Sequence, residues 1–388
     1  MGARDNIRAW TGGWPGLIAQ TLLLGAFVAL IAWLASNAAT NMAARGLSSG
    51  FDFLGREAGF DISQSLIDYS PTDTHARVFL VGALNTLQVA ALGILTATFL
   101  GLIAGVMRLS RNWLARIISS TYVEVARNTP LPIQILLWYS LMLVAPPPRD
   151  ALGAGGLLWL SNRGLYLPRP EWNDAGGTAL MLAAAALVIG LVLSSILRRR
   201  RREMGARVSP LWGWAAAGVG VTAAMLLTGN PTGFDLPQAE GFGFTGGIWF
   251  SPPLVALWAA LSFYTGGFIA EVVRGGLQSV PPGQSEAAQS VGLDERRTLS
   301  LVVLPQAMRV IVPPLASQYL NLAKNSSLAV IIGYPDLVAV FAGTSLNQTG
   351  QAIETLAMVM AFYLALSLSI SAFMNWWNAR TSRWANPR

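Results

Sequence analysis

Lys324 is the only lysine of this chain, His75 the only histidine, and there is no cysteine. Thiol catalysis, disulfide scaffolds, zinc clusters and iron-sulfur centres therefore lack ligands, and one imidazole forms neither a two-histidine metal site nor a relay. A Walker A loop needs Gly-Lys followed by Ser or Thr; Lys324 stands between Ala323 and Asn325. What Lys324 can do is attract an anion. It lies in an apolar run, where an ionisable group costs about 2.5 to 3.5 kcal/mol even on insertion scales and usually faces protein or a cavity. Gln318, Asn321 and Asn325 recur with it every third or fourth residue, and Ser326 and Ser327 follow. That spacing makes a polar stripe on a helix. It suits a substrate carboxylate, or interhelical hydrogen bonds worth about 0.6 kcal/mol each; both readings stand.

A second strip is Asn128, Thr129 and Gln134, where Pro130 and Pro132 deprive carbonyls of partners. Irregular backbone at membrane depth is tolerated where it lines a cavity or is buried in protein. Glu271 and Arg274, three residues apart, suit an ion pair on one helix face or a gate element.

The elements that must position these residues are membrane spans. Of 388 residues 53% are apolar and 12% charged, half the charged share of a soluble domain. A span needs about 20 mostly apolar residues. Such runs lie near residues 17 to 36, 83 to 107, 177 to 197, 211 to 227, 253 to 273, 310 to 332 and 355 to 375. A shorter run, 133 to 145, reaches span length if 128 to 132 begins inside the membrane boundary. The expectation is an all-α polytopic protein of about eight spans. The first run exceeds the 7 to 15 residues of a signal-peptide core, so it reads as an uncleaved anchor, although Arg4 and Arg8 precede it and small residues follow.

Arginine sets the orientation, because cytoplasmic loops hold an excess of it. With the N-terminus inside, the inner segments hold 19 of the 25 arginines, Arg198 to Arg202 among them, and the outer segments six. Both termini then lie in the cytoplasm, Arg380, Arg383 and Arg388 agreeing. This pattern points to membrane lipid and excludes nucleic acid as the reason for the net charge of +7. The outer segments carry Asp52, Glu57, Asp61, Asp68, Asp73, Asp235 and Glu240, and His75. Pro168, Pro170, Gly176 and Gly177 mark the outer segment 147 to 176 as irregular; the outer loops are long enough to fold over a mouth or receive a partner, and solvated, featureless loops are the first expectation.

The inner segment from Arg274 to Pro305 is punctuated like folded structure. Pro281, Pro282 and Gly283 force a turn, Ser285 can cap a helix starting at Glu286, and Gly292 can end it in the left-handed conformation. Asp294 can cap a second helix with an apolar face of Leu299, Leu301, Val302 and Leu304, which Pro305 breaks. Glu286 would hold the first helical position, favoured by the dipole, and Ala287 and Ala288 leave room for another surface. The result is a compact elbow projecting from the membrane.

This elbow resembles the coupling loop of binding-protein-dependent ABC importers, which share Glu-Ala-Ala, three residues, Gly, at least nine residues, then a hydrophobe, one residue, and Leu-Pro. Glu286-Ala287-Ala288, Gly292 and Val302-Val303-Leu304-Pro305 fit that spacing. Leu84-Asn85-Thr86-Leu87, residues 122 to 134, Ile269-Ala270-Glu271-Val272-Val273-Arg274 and Leu322-Ala323-Lys324-Asn325-Ser326-Ser327-Leu328 resemble the polar amino acid branch of the family, nearest the general L-amino-acid and glutamate/glutamine/aspartate permeases of proteobacteria. The resemblance covers residues 80 to 146 and 250 to 378, about half the chain.

It implies a five-helix type I ABC importer core, with one added N-terminal helix and an inserted helix pair read as lipid-facing scaffold. The divisions expected are 1–80, an N-terminal helix and periplasmic segment; 81–146, the first part of the core; 147–250, periplasmic loops and the inserted pair; 251–378, the second part with the coupling loop 275–309; and a cytoplasmic tail, 379–388. It also implies a permease subunit of the bacterial inner membrane. ATP and Mg would be bound by a separate ATPase dimer, with no cofactor in this chain. The further partners implied are a second, homologous permease subunit and a periplasmic amino-acid-binding protein. Glu286 would make polar contact with the ATPase, Gly292 the turn, and Leu304 and Pro305 the packing and redirection into the next span. An ion-coupled secondary transporter is the alternative; such proteins often show paired broken segments in two halves, and the Asn-Thr-Pro break has no second copy. An intramembrane enzyme lacks a convergent acid pair.

Overall fold

The computed structural model describes residues 14–44, 50–154, 157–172, 176–204, 211–227, 232–240 and 243–383. Arg4, Arg8, Arg45, Arg207 and Arg388, which count toward the orientation, and the side chains of Arg198 to Arg202 and of Arg383 lie outside what it describes. The helices are α1 (Trp14–Ala44), α2 (His75–Met107), α3 (Trp113–Asn128), α4 (Leu131–Val144), α5 (Gly176–Met204), α6 (Leu211–Leu227), α7 (Pro252–Gln278), α8 (Pro282–Ser290), α9 (Glu295–Thr298), α10 (Leu304–Asn325), α11 (Leu346–Thr349) and α12 (Ala352–Arg383). Each of the eight apolar runs falls on helix. Among the described residues α2, α7, the stretch 295–332 and most of α12 are long and apolar enough to cross a membrane, and shorter apolar helices cover Ile18–Leu34, Leu131–Val144 and Met181–Leu197. The chain is a polytopic helical membrane protein. It divides into two units, one of residues 1–130 with 261–388 and the other of residues 131–260.

In the first unit α2 and α7 approach through small residues. Gly101 and Gly105, one turn apart, face Gly266, Ile269, Ala270 and Val273; a Cβ on Gly101 would lie 2.5 Å from the Ile269 Cβ, and one on Gly105 2.7 Å from the Ala270 carbonyl oxygen. Such small-residue seams let backbones meet where lipid offers no hydrophobic drive. Hydroxyl pairs cross the same region, Thr96 with Ser262 and Thr98 with Tyr319, the latter at 2.9 Å.

Several expectations are corrected here. The inner segment after α2 is more than a connection: α3 packs on its neighbours, with Ser119 donating to the Ala104 carbonyl and Tyr122 to that of Phe263 (2.9 Å). The outer segment 50–74 is ordered. Phe53, Ala58 and Ile62 are buried with Val78, Val81, Leu337 and Phe341, and the Gly50 amide donates to the Glu354 carboxylate at 2.6 Å. His75 opens α2 instead of sitting in a loop; it is buried, its Nδ1 2.5 Å from the Ser345 hydroxyl. Pro305 does not break its helix. Leu299–Val303 winds as a π-helix, and Pro305 then falls in the first turn of α10, where a missing amide is tolerated.

The second unit corrects the reading of irregular outer loops. Strands β1 (Leu152–Ala154), β2 (Leu158–Ser161), β3 (Gly164–Leu167), β4 (Arg169–Trp172), β5 (Thr232–Asp235), β6 (Gln238–Glu240), β7 (Gly243–Thr245) and β8 (Ile248–Phe250) form an antiparallel sheet ordered β1-β2-β3-β8 and the pairs β4-β5 and β6-β7. Trp159, opposite Tyr166 on the adjacent strand, packs on Phe244 as Tyr166 does, and its indole donates to the Pro237 carbonyl at 3.1 Å. The inserted helix pair is present: α5 and α6 pack antiparallel through Gly190 against Ala217 and Gly213 against Ser194.

Candidate functional site

The elbow is built by local rules, with two of its details moved. α8 starts at Pro282, so Pro281 and not Ser285 precedes it, and Glu286 is the fifth helical residue rather than the first. Proline at the first position is pre-set for helix and gives up an amide with no partner there, which is why the start shifts. The end is as spaced. Gly292 has φ +87°, its amide donates to the Gln289 carbonyl (2.9 Å), and the Leu293 amide donates to that of Ala288 (3.1 Å), a Schellman closure. The Asp294 carboxylate caps α9 by accepting the Arg297 amide at 2.7 Å. Gln306 of α10 reaches back to Gln284 of α8 at 3.2 Å. Ala288 is buried in the elbow, while Glu286 and Ala287 are exposed beside a bare apolar rim of Val291, Leu299, Leu301 and Leu304.

The polar stripe of α10 is divided by the fold. Gln318, Asn321 and Asn325 line a cavity of about 290 Å³ with Tyr264, Thr265 and Phe268 of α7. Lys324 is exposed and is not in that lining, and Ser326 is buried, its hydroxyl donating to the Ala323 carbonyl at 2.7 Å. At the second strip α3 ends at Asn128 and α4 begins at Leu131. Thr129 between them is extended, as a residue before proline must be. Asn128 is exposed, and Gln134 is buried within the second unit.

One turn along α7 from the cavity is a charged node. Arg274 and Arg108 both pair closely with Glu271, Arg127 stands 3.7 Å from the same carboxylate, and Arg274 also donates to Gln278 at 2.6 Å. The i,i+3 pair was legible; Arg108 and Arg127 were missed. Their signal was that Arg108 precedes α3 and Arg127 lies in its last turn, within an arginine-rich segment.

A second group missed from sequence lies in the buried part of the first unit. Asn85 donates to the carbonyls of Gln64 and Pro335, both at 2.8 Å, and Thr86 accepts the Leu337 amide at 3.1 Å. Tyr334, fully buried, donates to the Asn85 carbonyl at 3.2 Å. Asp336, also fully buried, accepts the Ala339 amide at 2.9 Å, and burial pushes its carboxyl up to about 7. Among the described residues no three acidic or histidine side chains are grouped to hold a metal.

Residues 97–383 match the family described as binding-protein-dependent transport system inner membrane component. The chain is 49% identical to an Escherichia coli (strain K12) protein named as an amino-acid ABC transporter permease, YhdX, over 97% of this chain and 95% of that one. It is 47% identical to the general L-amino acid transport system permease protein AapQ of Rhizobium johnstonii, over 93% and 90% of the two chains. Its identity to the glutamate/glutamine/aspartate/asparagine transport system permease protein BztB of Rhodobacter capsulatus is 42%, over 92% of each.

Proposed function

The chain belongs to the family of binding-protein-dependent transport system inner membrane components, and from that membership we propose that it is a permease subunit of an ATP-driven importer of L-amino acids in the bacterial inner membrane. The family match gives no support to the ion-coupled alternative. The relatives' names support amino acids as the cargo. A separate ATPase dimer supplies the nucleotide chemistry with ATP and Mg, a soluble binding protein delivers the amino acid, and a second permease subunit completes the pathway. Both termini lie on the cytoplasmic side.

The observation that carries the reading is the elbow: α8 and α9, closed at Gly292 and capped at Asp294, project exposed Glu286 beside Val291, Leu299, Leu301 and Leu304. A rigid bent protrusion ending in bare apolar side chains serves as a lever seated in a groove on the ATPase. Closure of two ATPases then moves α10, with which the elbow is continuous through the π-helix. The cavity between α7 and α10 is the translocation site, where neutral amide and hydroxyl groups orient an amino acid against Phe268. Glu271 and Arg274 form the inner gate.

The test is uptake and ATP hydrolysis by the assembled complex in vesicles. Glu286→Lys reverses the elbow's charge, and Gly292→Asp puts a side chain at φ +87°, a strained conformation for any residue but glycine. Both should abolish uptake while leaving membrane insertion intact. Wild-type uptake in both variants contradicts the coupling role.

A further inference from the structure

We propose that Arg127 is the group that takes the carboxylate of the amino acid as it leaves the cavity toward the inner side. The inference rests on the reading of that cavity as the translocation site. Phe268 is the shared residue: it lines the cavity with Gln318, Asn321 and Asn325, and the Arg127 guanidinium lies 5.3 Å from the centroid of its ring. Around Glu271 the three arginines are unequal. Arg108 and Arg274 pair closely with the carboxylate and are 17% and 28% exposed, whereas Arg127 stands 3.7 Å away and is 42% exposed. Three guanidinium groups around one carboxylate leave a positive excess, and the least engaged and most accessible carrier of it is the one beside the cavity wall. A guanidinium offers a carboxylate two parallel N–H donors, and its charge is permanent.

α3 carries Arg127 between an apolar flank and a buried face. Trp113, Leu114, Ile117, Ile118 and Val125 form its exposed apolar flank, and Ser119, Val123 and Ala126 are its buried face. Arg127 lies on the border of the two, about 40° around the helix from Trp113 on one side and from Val123 on the other, and its contacts with Glu271 and Phe268 turn its guanidinium toward α7. A substrate carboxylate moving one turn along α7, from Tyr264 and Phe268 toward Glu271, meets Arg127 first. Glu271 then competes for the same guanidinium, so the site releases what it captures.

The experiment uses the assembled permease and ATPase complex in nanodiscs, without binding protein, so that upstream selection does not intervene. The probes are L-glutamine, L-glutamate, L-aspartate and L-asparagine and their α-carboxamides. Radiolabelled acids should be displaced about tenfold or more better by the acid than by its α-amide, the ratio expected from one charge-assisted hydrogen bond. Arg127→Gln should erase that ratio, and Arg127→Lys should keep part of it. In the unaltered complex, modification of Arg127 by phenylglyoxal, mapped by peptide mass, should be slowed by the acids and not by the amides, a readout that stands even if Arg127→Gln fails to assemble. An unchanged ratio in Arg127→Gln, equal displacement by acid and amide in the wild type, binding of none of the four acids, or no protection overturns the proposal. Asn321→Ala separates the two readings. It should weaken acid and amide alike; full binding in Asn321→Ala together with a lost ratio in Arg127→Gln refutes the cavity and leaves Arg127.

Discussion

The first unit holds two polar groups of opposite design. Around Glu271 the groups are charged, part-exposed and shared among side chains of three helices, so partners can be exchanged without leaving a charge stranded in a dry core. Around Asn85 and Asp336 the groups are neutral or raised toward neutrality and fully buried, and the Asn85 amide nitrogen, the Thr86 hydroxyl and the Asp336 carboxylate bond to backbone, while the Asn85 Oδ1 has no partner. Buried polar groups that lose a partner forfeit the full desolvation cost. The second group therefore fixes one arrangement, of α2 against residues 334–337, while the first permits several. A transporter needs both, a fixed frame and an end that can rearrange.

Tyr334→Ala attacks the frame most directly and should have the largest effect. Emptying a buried aromatic site costs about 3 to 5 kcal/mol, so the variant should fail to accumulate or melt far below the wild type in detergent. If its melting temperature is unchanged, Asn85 and Asp336 do not form a frame.

The second prediction concerns pH. Asp336 titrates in the fold near 7 because of burial, against an ordinary value of 3.8. The fold favours the protonated form, so the contribution of Asp336 to stability is fully present below about 4 and is lost as pH climbs toward 7. Asp336→Asn removes this contribution, and a melting temperature measured from pH 5 to 8 should fall less steeply in the variant. An equal slope in both proteins removes Asp336 as the source.

The smallest effect on stability is expected at the other group. Exposed and part-exposed pairs are worth about 1 kcal/mol or less, so Glu271→Gln should shift melting by only a few degrees while changing transport substantially. A loss of stability as large as that of Tyr334→Ala would erase the distinction between the two regions.

The sequence made the parts set by local rules legible. Each of the eight apolar runs marked a helix, because crossing hydrocarbon leaves few alternatives to a long apolar helix. Gly292 and Asp294 announced the turn and cap of the elbow, since each acts within four residues of itself. The start of α8 is ambiguous in sequence because proline as a first helical residue competes with a serine cap, and Pro305 reads as a break because a π-helix ahead of it has no distinct sequence mark. The strands of the second unit are three or four residues long, too short for alternation to stand out beside the proline and glycine around them. The polar groups depended on distant pairings. Arg108 meets Glu271 across 163 residues and Asn85 meets Pro335 across 250, distances over which a single sequence carries no pairing signal. The stripe of α10 was visible as a period, but which of its members face a cavity was decided by α7, so Asn321 and Lys324 part company.

The coupling claim can be tested most directly by crosslinking, because the chain has no cysteine of its own and a single Ala287→Cys places one thiol on the exposed elbow. In membranes containing the assembled transporter, a short bifunctional crosslinker should join this position to the nucleotide-hydrolysing subunit, with a yield that changes on addition of ATP. Crosslinks that reach only lipid or other permease subunits, with the ATPase present and bound, would contradict it.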